Sequence, residues 1–173
     1  MSRKQNIESI LNKFGKYVVA QARANLTRKN QNTSKGLWQS LGYDLIVHES
    51  GNFSMSFKME DYGVFQDQGV KGNKSTYPES KGSPFQYRNK MPPKKAFANW
   101  AVRKGLEGTR NEKGQFVSRQ SLQYALAKSI QQKGIRATKF FSRPFGMAFE
   151  NLPPDVVSAF QLTEEDFKKF TTQ

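Results

Sequence analysis

Along the first part of the chain the apolar positions advance in steps of three and four: Ile7, Ile10, Leu11, Phe14, Val18 and Ala22. At 1.5 Å per residue this spacing predicts one helix about 30 Å long from Ile7 to Leu26, with Lys13, Lys16 and Arg23 on the opposite face. The run TRKNQNTSK, from Thr27 to Lys35, has no period and ends at Gly36, which predicts a loop. The period then changes to two. Leu41, Tyr43, Leu45 and Val47 alternate with Gly42, Asp44, Ile46 and His48, and after Ser50-Gly51-Asn52 the alternation resumes in Phe53, Met55, Phe57 and Met59. Two strands joined by a short turn are predicted, and the large apolar face of FSMSFKM requires cover from the first helix or from a neighbouring subunit.

Beyond the hairpin the pattern is less regular. DYGVFQDQGVKG, from Asp61 to Gly72, has three glycines and two aromatics, which suits a structured turn or a single helical turn. Residues Asn73 to Pro93 hold four of the seven prolines and read as a long extended loop. Pro92-Pro93 then opens a helix, AFANWAVRKGL, with Phe97, Trp100 and Ala101 on its inner face and Gly105 or Gly108 near its end. After the polar loop EGTRNEKGQF, Ser118 can cap a helix whose stripe is Leu122, Ala125, Leu126 and Ile130, with Gly134 at its end. Ile135 to Phe145 reads as a last strand running into a turn at Pro144, and Thr163-Glu-Glu-Asp166, followed by Phe167 and Phe170, as a final helix start. The expected fold is α+β: an antiparallel sheet of about three to five strands against a long N-terminal helix and two further helices. Residues 1–152 form the expected domain, with the basic loop 73–93 inserted, and 153–173 an acidic tail with a short helix.

Composition narrows the partners. Twenty-eight Lys and Arg against fourteen Asp and Glu give a net charge of +14, which favours a polyanion: nucleic acid first, an anionic membrane or acidic protein surface second. The absence of cysteine excludes disulfides and thiolate metal sites, and a single histidine, His48, excludes His-based metal clusters. No apolar run reaches membrane-spanning length, so no membrane partner is expected. The N-terminal MSRKQNIESI lacks the apolar stretch of a signal peptide, so the chain is expected to stay in the compartment where it is made.

Candidate chemistry is sparse. Glu60, Asp61 and Asp67 form the only dense acidic set, which a metal-dependent nuclease would need, but they lack a carboxylate-x-Lys strand pattern. Lys71-Gly72-Asn73-Lys74-Ser75 lacks the leading glycine of a phosphate loop. The basic stretch is the stronger signal. Lys71, Lys74, Lys81, Arg88, Lys90, Lys94, Lys95, Arg103 and Lys104 face one acid, Glu79, and the aromatics Tyr77, Phe85 and Tyr87 are interleaved with them. IQQKGIRATKFFSRPF, from Ile130 to Phe145, likewise sets three phenylalanines among four cations with no carboxylate. The tail from Glu150 to Gln173 has five acids and two lysines, which would allow opposite charges on copies of the chain to meet.

The order of four motifs carries a resemblance. A long amphipathic helix is followed by a loop closing in Ser34-Lys-Gly-Leu-Trp-Gln-Ser40, a hairpin, and the turn Tyr62-Gly-Val-Phe-Gln-Asp-Gln-Gly69. Then come MPPKKAFANWAVRKGL and LAKSIQQKGIRATKFFSRPF. From Ile7 to about Leu152 the chain resembles the neck, or head–tail joining and tail-completion, proteins of tailed bacteriophages, in their longer branch. It departs from shorter relatives at Gln68, where they tend to carry a glutamate, and in the long insertion between Gly72 and Pro92. The resemblance implies a non-enzymatic virion subunit, made in the host bacterial cytoplasm, that forms a homo-oligomeric ring around the DNA channel. Its implied partners are the portal or adaptor, tail-tube proteins and double-stranded DNA bound without regard to sequence, with no cofactor or metal.

On this reading Lys71, Lys74, Lys81, Arg88, Lys90, Lys94 and Lys95 contact nucleic acid or a neighbouring ring. Tyr62, Phe65, Phe140, Phe141, Arg143 and Phe145 form the subunit interface, although core packing is the commoner use of rings such as Phe140, Phe141 and Phe145. Lys133, Arg136, Lys139 and Arg143 would face phosphate or a neighbour's carboxylates. The loop Asn73 to Lys90 is expected to stay disordered until assembly. The alternatives are a basic, sequence-independent nucleic-acid-binding protein and a small metal-dependent nuclease.

Overall fold

The long N-terminal period is realised as α1 (Arg3–Arg28), whose residues Ile7, Leu11, Phe14, Val18, Val19, Ala22 and Leu26 are all buried. In the computed structural model, which describes residues 3–29, 35–48, 52–106 and 110–159, the elements after α1 are α2 (Gly36–Ser40), β1 (Gly42–Val47), β2 (Phe53–Lys58), α3 (Tyr62–Gln68) and β3 (Val70–Lys71). Two 3-10 turns (Pro78–Ser80 and Lys94–Phe97) lead to α4 (Ala98–Arg103), α5 (Arg119–Lys133), β4 (Gly134–Ile135), α6 (Ser142–Glu150) and α7 (Pro154–Ala159). The fold is α+β, and its described strands form two antiparallel pairs, β1–β2 and β3–β4. The chain divides into two compact units: a scaffold unit, from the N-terminus to Asp67 and again from Lys139 onward, and an inserted unit, Gln68–Thr138. The final helix start predicted at Thr163-Glu-Glu-Asp166 lies outside the described residues.

In the scaffold unit the two periods lock together. The β1–β2 register pairs Tyr43 with Phe57, Leu45 with Met55 and Val47 with Phe53, so these six large apolar side chains fall on one face, while Ile46, paired with Ser54, is exposed on the other. Asp44 and Lys58 form an ion pair on that second face. The apolar face rests on α1, with Phe57 edge-on to Phe14 at 6.1 Å. Gly15 makes the close approach possible, because a Cβ there would stand 2.6 Å from the Tyr43 ring. The Tyr43 hydroxyl then donates to Asn12 Oδ1 at 3.1 Å. Two clusters line α1: Val19, Ala22, Leu26, Leu37, Leu41 and Phe140 toward its C-terminal half, and Ile7, Leu11, Phe53 and Val156 toward its start.

The segment predicted as a last strand ending at Pro144 is instead a short β4 followed by a helix, α6. Pro144 sits in the first turn, where no backbone N–H is required of it, and Phe141, Phe145 and Phe149 recur at helical steps of four. The missing cap comes from far away in sequence. Asp67 Oδ1 accepts Phe141 N–H at 2.8 Å and Ser142 N–H at 3.1 Å, and the Asp67 carbonyl accepts Lys139 N–H at 2.9 Å.

The inserted unit is built differently. Its described buried apolar side chains are Val70, Ala101, Ala127 and Ala137, and its buried polar ones are Ser80, Ser83, Gln131 and Thr138. The helix predicted after Pro93 begins as the 3-10 turn Lys94–Phe97 and continues as α4. Trp100, expected inside, is exposed, while its neighbour Ala101 is buried. On α5, Ser118 caps as expected, its hydroxyl accepting Ser121 N–H at 3.1 Å. The most enclosed positions of α5 are Ala127 and Gln131, beside rather than on the predicted stripe, and Ala125 is exposed.

Candidate nucleic-acid interface

Charge is divided unequally between the two units. Residues 68–138 contain 15 Lys and Arg against 3 Asp and Glu, a net of +12, whereas the rest of the chain holds 13 against 11, a net of +2. The predicted contact residues Lys71, Lys74, Lys81, Arg88, Lys90, Lys94 and Lys95 all belong to the inserted unit. Lys71 is half-buried on β3, and the other six are exposed on the loop and the turn that ends it.

That loop is fastened, not free, so the expectation of disorder before assembly is not what the structure shows. The Ser80 hydroxyl, fully buried, donates to the Ile135 carbonyl at 2.8 Å and accepts Ala137 N–H at 2.8 Å. Ser83 Oγ donates to the Gly69 carbonyl at 2.7 Å. Lys71 N–H bonds to Phe85 O at 2.9 Å and Tyr87 N–H to Lys71 O at 2.8 Å, a bridge that ties the loop to β3. Gln131, buried on α5, donates from Nε2 to Asn89 O at 3.0 Å, and Asn73 Nδ2 donates to Arg88 O at 3.1 Å. These partners lie up to 57 residues away in sequence, which is why a Pro- and Ser-rich composition read as disorder. Gly69, at φ +75°, leaves room for the Ser80 hydroxyl, which a Cβ would meet at 2.4 Å.

Several cations of the unit lie over rings. Arg136 stands 4.9 Å from the Tyr77 centroid, Lys94 4.9 Å from Tyr124 and Arg110 4.1 Å from Phe116. Each pair sets a cation within about 5 Å of a ring face, where the ring's quadrupole attracts it. Burial pushes the Tyr87 phenol above its usual value.

The residues predicted at a subunit interface separate in the structure. Tyr62 and Phe65 are exposed on α3, with Val64 between them. Phe140 is not at the surface: it is fully buried against Leu26, Leu37 and Leu41, and its carbonyl accepts from Asn25 Nδ2 at 3.0 Å. Phe141 and Phe145 are half-buried in an aromatic row. Their rings stack at 5.9 Å, Phe57 meets them edge-on at 5.2 and 5.7 Å, and Phe149 continues the row. Only Arg143 of this segment's four predicted interface residues is exposed. The Gly-Leu-x-x-Ser motif acts locally, with Leu37 buried and Ser40 Oγ accepting Glu60 N–H at 3.0 Å. Arg23 satisfies the Trp38 and Leu41 carbonyls at 3.1 and 2.8 Å.

The three acids weighed as metal ligands do not converge. Glu60 and Asp61 are exposed, whereas Asp67 is buried and spends its carboxylate on the α6 amides. Among the described residues no group of three or more His, Cys, Asp or Glu could hold a metal ion, and no helix is long and apolar enough to cross a membrane. His48 Nε2 shares a 2.7 Å hydrogen bond with Ser54 Oγ across the exposed side of the hairpin. A depression of about 500 Å³ along α1, lined by Gln5, Glu8, Ser9 and Asn12, contains one carboxylate. No family model, curated protein or solved structure matches the chain.

Proposed function

We propose that this chain is a structural subunit of the neck or tail-completion region of a tailed bacteriophage, one of a ring of copies around the DNA conduit between portal and tail. It acts without catalysis: through shape, self-association and a positively charged unit directed at the genome's phosphates. The observation that carries this reading is the segregation of charge, with +12 in an inserted unit whose loop, bearing Lys74, Lys81, Arg88 and Lys90, is fastened by hydrogen bonds. A polyanion that must slide past many subunits is best met by sequence-independent charge. Tyr62, Val64 and Phe65, on the nearly neutral scaffold unit, supply apolar surface for neighbouring copies. The order of the Gly-Leu-x-x-Ser, hairpin and Tyr-x-x-Phe-x-x-x-Gly motifs supports the same assignment.

Deleting the gene from the encoding phage and imaging the lysate by electron microscopy tests the proposal. DNA-filled heads and unattached tails are expected, with joined particles restored by a plasmid copy. Normal virions from the deletion, or the protein's absence from purified particles, would overturn it. The competing reading, a basic DNA-binding protein unconnected with virions, rests on the same +12 unit. It requires the chain to elute as a monomer alone, to shift with DNA at moderate salt, and to be missing from particles.

A further inference from the structure

Arg136 is set apart from the other cations of the inserted unit because its surroundings are built on three sides. The Ser80 hydroxyl bonds to the Ile135 carbonyl and the Ala137 amide, so one buried side chain fixes the backbone immediately before and after Arg136. From the same 3-10 turn, Tyr77 places its ring under the guanidinium at 4.9 Å. Glu79 brings Oε1 to 3.6 Å from Arg136 Nε. At that distance the carboxylate is a neighbouring counter-charge and not a short hydrogen-bonded partner. The arginine and glutamate side chains remain 63% and 48% exposed, so both meet solvent.

We infer that Arg136 is a preformed seat for a backbone phosphate of duplex DNA, with Glu79 as its resident counter-ion, displaced when the phosphate arrives. This rests on the reading above that the inserted unit faces DNA. A guanidinium presents its donors in a planar fork that matches two phosphate oxygens, and a ring beneath it holds the plane that a free arginine would have to find. Orienting the side chain in advance removes part of the entropy cost of gripping. The unit's remaining cations, spread over 71 residues against two other acids, suit a chain of regularly spaced phosphates better than the patchy charge of an acidic protein.

The test is fluorescence anisotropy of the full chain with a labelled duplex of about 30 base pairs of arbitrary sequence, repeated across salt concentrations. Arg136→Gln is expected to weaken binding about tenfold, whereas Lys74→Gln, the same charge change elsewhere on the same unit with no ring or counter-ion beside it among the described residues, weakens it about twofold. Glu79→Gln is expected to tighten binding about threefold, and it serves as the arm that survives if Arg136→Gln misfolds by circular dichroism. Tyr77→Leu should weaken binding while leaving the salt slope unchanged, because no charge is lost, whereas Arg136→Gln lowers the slope by about one. Equal losses for Arg136→Gln and Lys74→Gln, or no gain from Glu79→Gln, would overturn the inference. So would a wild-type chain that ignores duplex at about 50 mM salt but binds polyglutamate, since the surface would then serve an acidic protein. The neck reading is judged separately, in particles. A tenfold Arg136 effect in a chain absent from virions would sink that reading alone, and equal losses in a chain present in virions would sink the seat alone.

Discussion

Single residues in this chain have roles that their neighbours in sequence do not suggest, and Asp67 is the clearest case. In composition it is one of three acids beside a Gly-rich turn. In space its carboxylate closes the first turn of α6 and its carbonyl holds Lys139 N–H, so one residue grips the chain at both ends of the 71-residue insertion. Asp67→Ala removes the acceptor for two amides and should cost about 2 kcal/mol of stability, measured by urea unfolding. Asp67→Asn keeps a carbonyl oxygen in the same place and should recover about half of that loss or more. If Asn were as damaging as Ala, the negative charge and not the cap geometry would be what matters. Ser80 is similar: an ordinary serine among prolines in sequence, it ties its loop to Ile135 and Ala137, 55 and 57 residues further on. No local pattern could have identified either residue, because their partners are fixed by the fold and not by spacing.

At the scale of elements, periodicity was informative wherever one face of an element is large and apolar. The 3.6 period of α1 and the twofold period of β1 and β2 appear where they were expected, with Phe53, Met55 and Phe57 facing in and Ser54, Ser56 and Lys58 facing out. It failed where burial is done by small or polar side chains. On α5 the enclosed residues are Ala127 and Gln131, which no hydrophobic pattern would choose over Leu122 and Leu126. It also failed at α6, whose Phe-Phe pair and proline imitate a strand end until the remote cap is known. Glycines mark two helix ends for different reasons, and this can be measured. Gly134, at φ +82°, ends α5 so close to β3 that a Cβ would lie 2.1 Å from the Val70 carbonyl oxygen. Gly105, at φ +65°, follows α4 with nothing within 4 Å of the same position. Gly105→Ala should cost about 1 kcal/mol, for the left-handed backbone alone. Gly134→Ala should cost about 3 kcal/mol or more, because the β3–β4 pairing must also open. Equal shifts in the thermal midpoint would show that β3 can move aside without penalty.

For the molecule as a whole, the division of charge coincides with a division in what holds each unit together. The scaffold unit buries Leu, Ile, Val and Phe along α1, and area removed from water stabilises it at about 25 cal/mol per Å² whatever the salt. The inserted unit buries alanines, one valine and hydroxyl or amide groups, and carries +12 of mutually repelling charge. Its stability should therefore be lower and should depend on counter-ions, and a polyanion that binds the folded unit stabilises it by mass action. Hydrogen exchange on the full chain separates these cases. In low salt the α5 amides are expected to exchange faster than those of α1. Duplex DNA should slow α5, and the Lys71 and Tyr87 amides of the bridged loop, by tenfold or more at saturating duplex while leaving β1 and β2 unchanged. In the free chain those two amides should already be slower than the exposed loop around them, since each has a backbone partner within 2.9 Å. Rapid exchange there would return the loop to the disorder its composition suggested, with order arriving only on assembly. Equal slowing of α1 and α5 by DNA would mean that the two units unfold as one body, and the separate, salt-dependent stability argued for the inserted unit would be wrong.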